Sequence, residues 1–120
     1  RIYWALCLNR GGDYHGYSAA EIQAHAVAGS DATCHAALAH FCAFLGTAAG
    51  DQALCCGAQG GVFIAGGIVP RFTEFLRHSR FRARFEAKGP MRDYVSAIPV
   101  YVITRDNPGM LGAARADLDA

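Results

Sequence analysis

Two short apolar runs set the strongest limit on what this chain can fold into. Val62-Phe63-Ile64-Ala65 and Val100-Tyr101-Val102-Ile103 are continuous rather than alternating, the first flanked by glycine pairs and the second preceded by Pro99. Runs of that kind belong to strands buried on both faces of a parallel sheet. The stretch between them carries helical patterns and no hairpin turn, so the strands are expected to be parallel, joined through helices in a right-handed crossover. The fold class that follows is α/β, helix-rich, with two buried parallel strands. Two strands make a poor sheet alone, and the missing ones are expected upstream of Arg1. The chain also opens without Met and directly in an apolar-periodic segment, Ile2, Tyr3 and Leu6. Both features are read as signs of a piece cut from a longer polypeptide. Its 120 residues allow one compact domain at most.

The helical patterns have recognisable ends. Asn9–Gly16 is a loop rich in glycine and polar residues. Ser18-Ala19-Ala20-Glu21 is a capping box, in which the Ser hydroxyl and the Glu carboxylate each satisfy a backbone N–H of the first turn. The helix that follows should bury Ile22 and Ala26 and stop near Gly29. Ser30 or Asp31 can cap the next one, the longest, over roughly Asp31–Cys56. Its expected buried stripe is Leu38, Phe41, Cys42, Leu45, Ala48, Ala49, Ala53 and Cys56. Gly46 and Gly50 interrupt it four residues apart, where each costs about 1 kcal/mol relative to Ala. That spacing lets either another element or a ligand edge approach closely. Pro70 suits the first turn of a further helix with Phe72, Phe75 and Leu76 inward. Phe81 and Phe85 mark another helical segment, ending at Gly89-Pro90, and Met110–Leu118 reads as the last.

Several function classes lose support. The 11 Lys and Arg against 10 Asp and Glu give a net charge of +1, unlike a protein whose whole surface binds nucleic acid. Seven of the 11 lie in Arg71–Arg92, a local +5, read as a solvated helical face interleaved with buried Phe rather than a phosphate-binding patch. The longest apolar runs, such as Val62–Val69, fall short of the ~20 residues that span a bilayer. Five cysteines at irregular spacing form neither a disulfide framework nor a metal hook; they read as free, buried thiols of a cytosolic protein. The five histidines are scattered, so no metal site is expected, and no nucleophile–base set suggests a hydrolase.

The stretch with most chemical content is Gly60-Gly61-Val62-Phe63-Ile64-Ala65-Gly66-Gly67-Ile68-Val69-Pro70. A buried strand ends there in a glycine pair, and in α/β sheets ligands bind at the strands' C-terminal ends. Without Cβ atoms the pair lets a flat ring or a sugar-phosphate approach the backbone, and the turn itself can demand a conformation that only Gly accepts. A purely structural strand-to-helix turn would want the same residues. No Lys follows, so it is not a phosphate loop of the GxxxxGK[ST] type.

Gly60–Phe72 resembles the adenosine segment of bacterial glucokinases, ATP-dependent sugar kinases of the actin/hexokinase superfamily. Phe81–Gly89, Ile98–Ile103 and Asn107–Ala114 are similar to the segments that follow it in that family, in the same order and spacing, and Leu38–Ala53 is similar to the long helix before it. One local departure is Asp51-Gln52, where the family pattern has Asn-Leu or similar. The resemblance implies the C-terminal segment, residues 1–120, of a large domain with a ribonuclease-H-like (actin-like ATPase) fold. It implies transfer of the γ-phosphoryl group of ATP to the 6-hydroxyl of glucose, in a cytoplasmic homodimer that binds neither nucleic acid nor membrane. Gly66 and Gly67 would lie against the nucleoside, and Ile68 and Val69 would add apolar contact to the adenine pocket. The catalytic residues, the sugar ligands and most of the Mg²⁺ site would lie upstream, leaving this piece inactive alone. The alternative is a non-catalytic nucleotide-binding or regulatory module derived from the same fold, and a purely structural dimerisation piece is a third possibility.

Overall fold

The computed structural model describes residues 1–116. Along them run α1 (Ile2–Arg10), α2 (Ala19–Ala28), α3 (Ala32–Cys56), β1 (Val62–Ile64), α4 (Thr73–His78), α5 (Phe81–Glu86), α6 (Arg92–Ser96), β2 (Val100–Val102) and α7 (Pro108–Arg115). Single turns of tighter helix, Val69–Phe72 and Gly89–Met91, lead into α4 and α6. Leu118, assigned by sequence to the last helix, lies outside the described residues.

Local chemistry sets the helix ends. Both halves of the Ser18 box form: the Glu21 N–H donates to Ser18 Oγ at 3.3 Å and the Ser18 N–H to Glu21 Oε2 at 2.8 Å. Asp31 Oδ1 accepts from the N–H groups of Thr33 and Cys34 at 2.7 and 2.9 Å. Donation by Cys34, more than by Thr33, holds the Asp31 carboxyl below its usual range. Gly11, Gly29 and Gly57 close α1, α2 and α3 in the left-handed conformation.

The core is organised around α3, which packs against α1, α2 and α5. Its buried residues are Cys34, Ala37, Leu38, Cys42, Gly46, Ala49, Gly50 and Ala53. Ala48 and Cys56, expected in the stripe, are exposed. The buried surface instead runs through the small residues, because α5 crosses α3 at backbone distance. A Cβ on Gly46 would overlap the Phe81 carbonyl, and one on Gly50 would overlap the Phe85 carbonyl and stand 2.6 Å from Lys88 Cε. The close neighbour left open by the sequence is therefore a helix. Lys88, its side chain 7% exposed, seals the crossing by donating to Thr47 O at 2.9 Å and Asp51 Oδ1 at 2.5 Å. Asp51, the departure from the family pattern, thus holds a nearly buried ammonium.

By length and composition alone α3 could cross a membrane, so the apolar run to weigh was this helix and not Val62–Val69. Its small-residue face is the centre of the core. Cys34 and Cys42 are fully buried on it, Cys7 packs nearby, and Cys55 and Cys56 are exposed; all five are free thiols. Burial pushes the Cys34 thiol up to about 11, with Asp31 adding to the effect, and raises Cys42 as well. The Tyr3 hydroxyl is buried without a hydrogen-bond partner among the described residues.

β1 and β2 are parallel, in register Val62↔Val100, Phe63↔Tyr101 and Ile64↔Val102. The expectation of burial on both faces is corrected. Ile64 is buried and Val62, Val100 and Val102 pack against the core, but Phe63 and Tyr101 are 63% and 49% exposed. Their rings stack on each other at 5.0 Å on the outer face, which no described element covers. The short α6, not anticipated from sequence, brings Val95 into the core next to Ile98.

Candidate functional site

Parallel pairing puts the exits of both strands on one edge of the sheet. After β1 the chain passes Ala65 and turns at Gly66, whose φ of +120° is one that side-chain-bearing residues rarely adopt. After β2 the Ile103 N–H donates to Ile64 O at 2.9 Å, which keeps the two exits together for one more residue. Asn107 then adopts φ 49°, the one non-glycine positive φ among the described residues, and opens α7.

Between the exits lies a cleft of ≈ 400 Å³ lined by Gly66, Gly67, Pro70 and Arg71 from the first and by residues 104–108 from the second. A Cβ on Gly66 or Gly67 would meet nothing within 4 Å. The pair therefore faces open space and is not packed against another part of the chain. The two glycines differ in backbone: the conformation that strains side chains belongs to Gly66, while Gly67 lies outside that region.

The four residues singled out from sequence do not stay together. Gly66 and Gly67 line the cleft. Ile68 is 62% exposed and borders a separate apolar hollow with Ile2, Leu38, Phe41 and Phe72. Val69 is 6% exposed, in the core. The tight turn Val69–Phe72 rotates successive side chains to different sides, so contiguity in sequence does not become contiguity at a surface.

Not anticipated from sequence, Thr104, Arg105, Asp106 and Asn107 form the second wall of the cleft. The signal was available, because residues following one parallel strand lie beside those following its neighbour. Three ionic groups line the cleft: Arg71, Arg105 and Asp106. None has an ion pair or side-chain hydrogen bond among the described residues, in contrast to the basic residues of α4 and α5. There Arg77 pairs with Glu74, and Arg82 pairs with Glu86 while donating to Ile98 O and Ser96 O. Arg84 donates to Thr47 Oγ1. Most of the basic cluster is a solvated face, as read from sequence: Arg71, Arg77, Arg80, Arg84 and Arg92 are exposed, while Arg82 and Lys88 are part-buried and clasp neighbouring elements. Among the described residues no group of His, Cys, Asp and Glu gathers in a way that could hold a metal ion.

Comparison with known proteins gives one consistent result. A family model described as Glucokinase matches residues 1–119. A glucokinase of Chromobacterium violaceum is 50% identical over 113 residues, which is 94% of this chain and 32% of that protein. One from Hahella chejuensis is 47% identical over 115 residues, 96% of this chain and 36% of that protein. Among solved structures, a glucokinase from an Antarctic psychrotroph superposes with a TM-score of 0.85 at 44% identity, over 94% of this chain and 35% of its own. The chain thus spans about a third of the length of the relatives it matches.

Proposed function

The chain belongs to the glucokinase family, and from that premise we propose that it is the C-terminal, nucleoside-binding part of a kinase that transfers the γ-phosphoryl group of ATP to the 6-hydroxyl of glucose. The observation that carries the nucleotide reading is the glycine pair at the C-terminal end of β1, with open space where its side chains would be. A purine or ribose can lie against that backbone at van der Waals distance. In this reading the two-stranded sheet is part of a larger, ribonuclease-H-like sheet whose other strands come from the rest of a family-length polypeptide.

Transfer to a sugar hydroxyl needs a base or orienter, charge neutralisation on the phosphates and two substrates held in line. This segment contributes the nucleoside wall. The described residues do not fit a Mg²⁺ site, because among them Asp106 is the one carboxylate in the cleft, so the cation and the catalytic base are assigned to the remainder of the polypeptide, and the segment alone is inactive. Five free thiols, three of them buried, suit a reducing, cytoplasmic compartment.

The test is Gly67→Val in the full-length polypeptide. Since Gly67 lies outside the left-handed region and a Cβ there meets no protein atom, the substitution fills ligand space without straining the fold. ATP affinity is expected to fall by about tenfold or more and glucose affinity to stay within about twofold, since the sugar ligands are assigned to the rest of the polypeptide. Separate titrations with each ligand read this out. An unchanged ATP affinity in a folded variant would make the turn purely structural.

A further inference from the structure

We propose that Asp106 is a specificity-determining residue of this cleft, whose carboxylate accepts hydrogen bonds from the ribose hydroxyls of the nucleotide; the inference rests on the nucleotide reading above. Asp106 lines the same cleft as Gly66 and Gly67, arriving from the neighbouring strand exit. It is exposed and has no ion pair or side-chain hydrogen bond among the described residues. Its role is therefore not to hold the loop.

A carboxylate in such a position constrains how a nucleotide can lie. It is acceptor-only and repels a polyphosphate brought against it. The phosphates accordingly point away from Asp106, and a neutral, donor-bearing edge of the nucleoside faces it. Ribose and base both carry donors. The vicinal 2′,3′-diol presents two of them at the spacing of the two carboxylate oxygens, the match by which acidic residues hold ribose in other α/β nucleotide sites. The exocyclic amine of a purine is a single centre on the flat base, which the glycine backbone is shaped to receive. Arg71 and Arg105 line the same cleft without ion pairs among the described residues and offer the phosphates a cationic alternative to the Asp106 edge.

The experiment compares ATP, 2′-deoxy-ATP, 3′-deoxy-ATP and inosine triphosphate as phosphoryl donors for the full-length polypeptide, its Asp106→Ala and Asp106→Asn variants, and Gly67→Val in parallel. Hydrogen bonds to a charged partner predict that Asp106→Ala lowers kcat/KM for ATP about tenfold or more. The same change should leave the value for at least one deoxynucleotide within about twofold, so that discrimination against the missing hydroxyl collapses. Asp106→Asn, which keeps one acceptor oxygen, should recover part of the loss. Three results overturn the proposal: an equal loss for ATP and both deoxynucleotides, a loss confined to the contrast between ATP and inosine triphosphate, or no change with any donor. If Asp106→Ala changes nothing while Gly67→Val weakens ATP, only this inference fails. If neither variant affects ATP, the nucleotide reading fails with it.

Discussion

Asp31 shows how one side chain fixes an element end and ties it to pH. Its Oδ1 accepts two backbone N–H groups that the first turn of α3 would otherwise leave unpaired. Asp31→Ala is expected to cost about 1 kcal/mol, and Asp31→Asn, which keeps an acceptor, less. The carboxyl is held below its usual range in the folded chain, chiefly by the Cys34 N–H. A depressed folded pKa means that the contribution is present above the unfolded value of about 3.9 and is lost as pH falls through the folded value. The stability gap between wild type and Asp31→Ala should therefore be constant near neutrality and shrink below about pH 4. Urea denaturation across pH measures it, and a gap independent of pH would separate the cap from the charge. Caps of this kind were legible in the sequence because their partners lie within three residues. Val69 shows the opposite case: which side of a tight turn faces the core depends on what packs there, and no local signal carries that.

Among the elements, the α3–α5 crossing is the tightest joint. Gly46→Ala would place a methyl group into the Phe81 backbone. Backbone cannot swing aside as a flexible side chain can, so the helices must separate. Overpacking of this kind costs typically 1–3 kcal/mol, against a gain of about 1 kcal/mol in helix propensity. A net loss of up to about 2 kcal/mol is expected. Gly112→Ala in α7, where a Cβ meets nothing within 4 Å, should be neutral or stabilising, since propensity alone acts there. Thermal denaturation of the pair gives opposite signs if close approach is the reason for Gly46, and the same sign if it is not. The glycine spacing was visible in the sequence, but its partner was not, because α5 arrives from more than thirty residues away. Likewise α6, five residues long, is too short to show a periodicity, although Val95 and Ile98 are among the most buried side chains.

At the scale of the whole molecule the described residues form a slab, 54 × 40 × 21 Å, with a radius of gyration of 16.8 Å. A compact domain of this length would have roughly 14 Å. The excess goes with a sheet of two strands that leaves an outer edge on each strand unpaired among the described residues and one face carrying the stacked Phe63 and Tyr101. The sequence marked both strands as sheet interior, and one face is indeed packed; the second requires a layer that these residues do not provide. Open strand edges beside exposed aromatic rings are association sites. The 120-residue chain by itself is therefore expected to self-associate, through the outer sheet face or by edge pairing, and to sediment faster as its concentration rises. Phe63→Thr with Tyr101→Thr puts a β-branched residue of good strand propensity at each position and removes the rings, so the double variant should shift toward monomer if the aromatic face drives association. If edge pairing drives it, the variant should associate as strongly as wild type. Sedimentation velocity over a wide concentration range distinguishes these outcomes, and a concentration-independent monomer with a sharp thermal transition would show that the slab closes its own core without a covering layer.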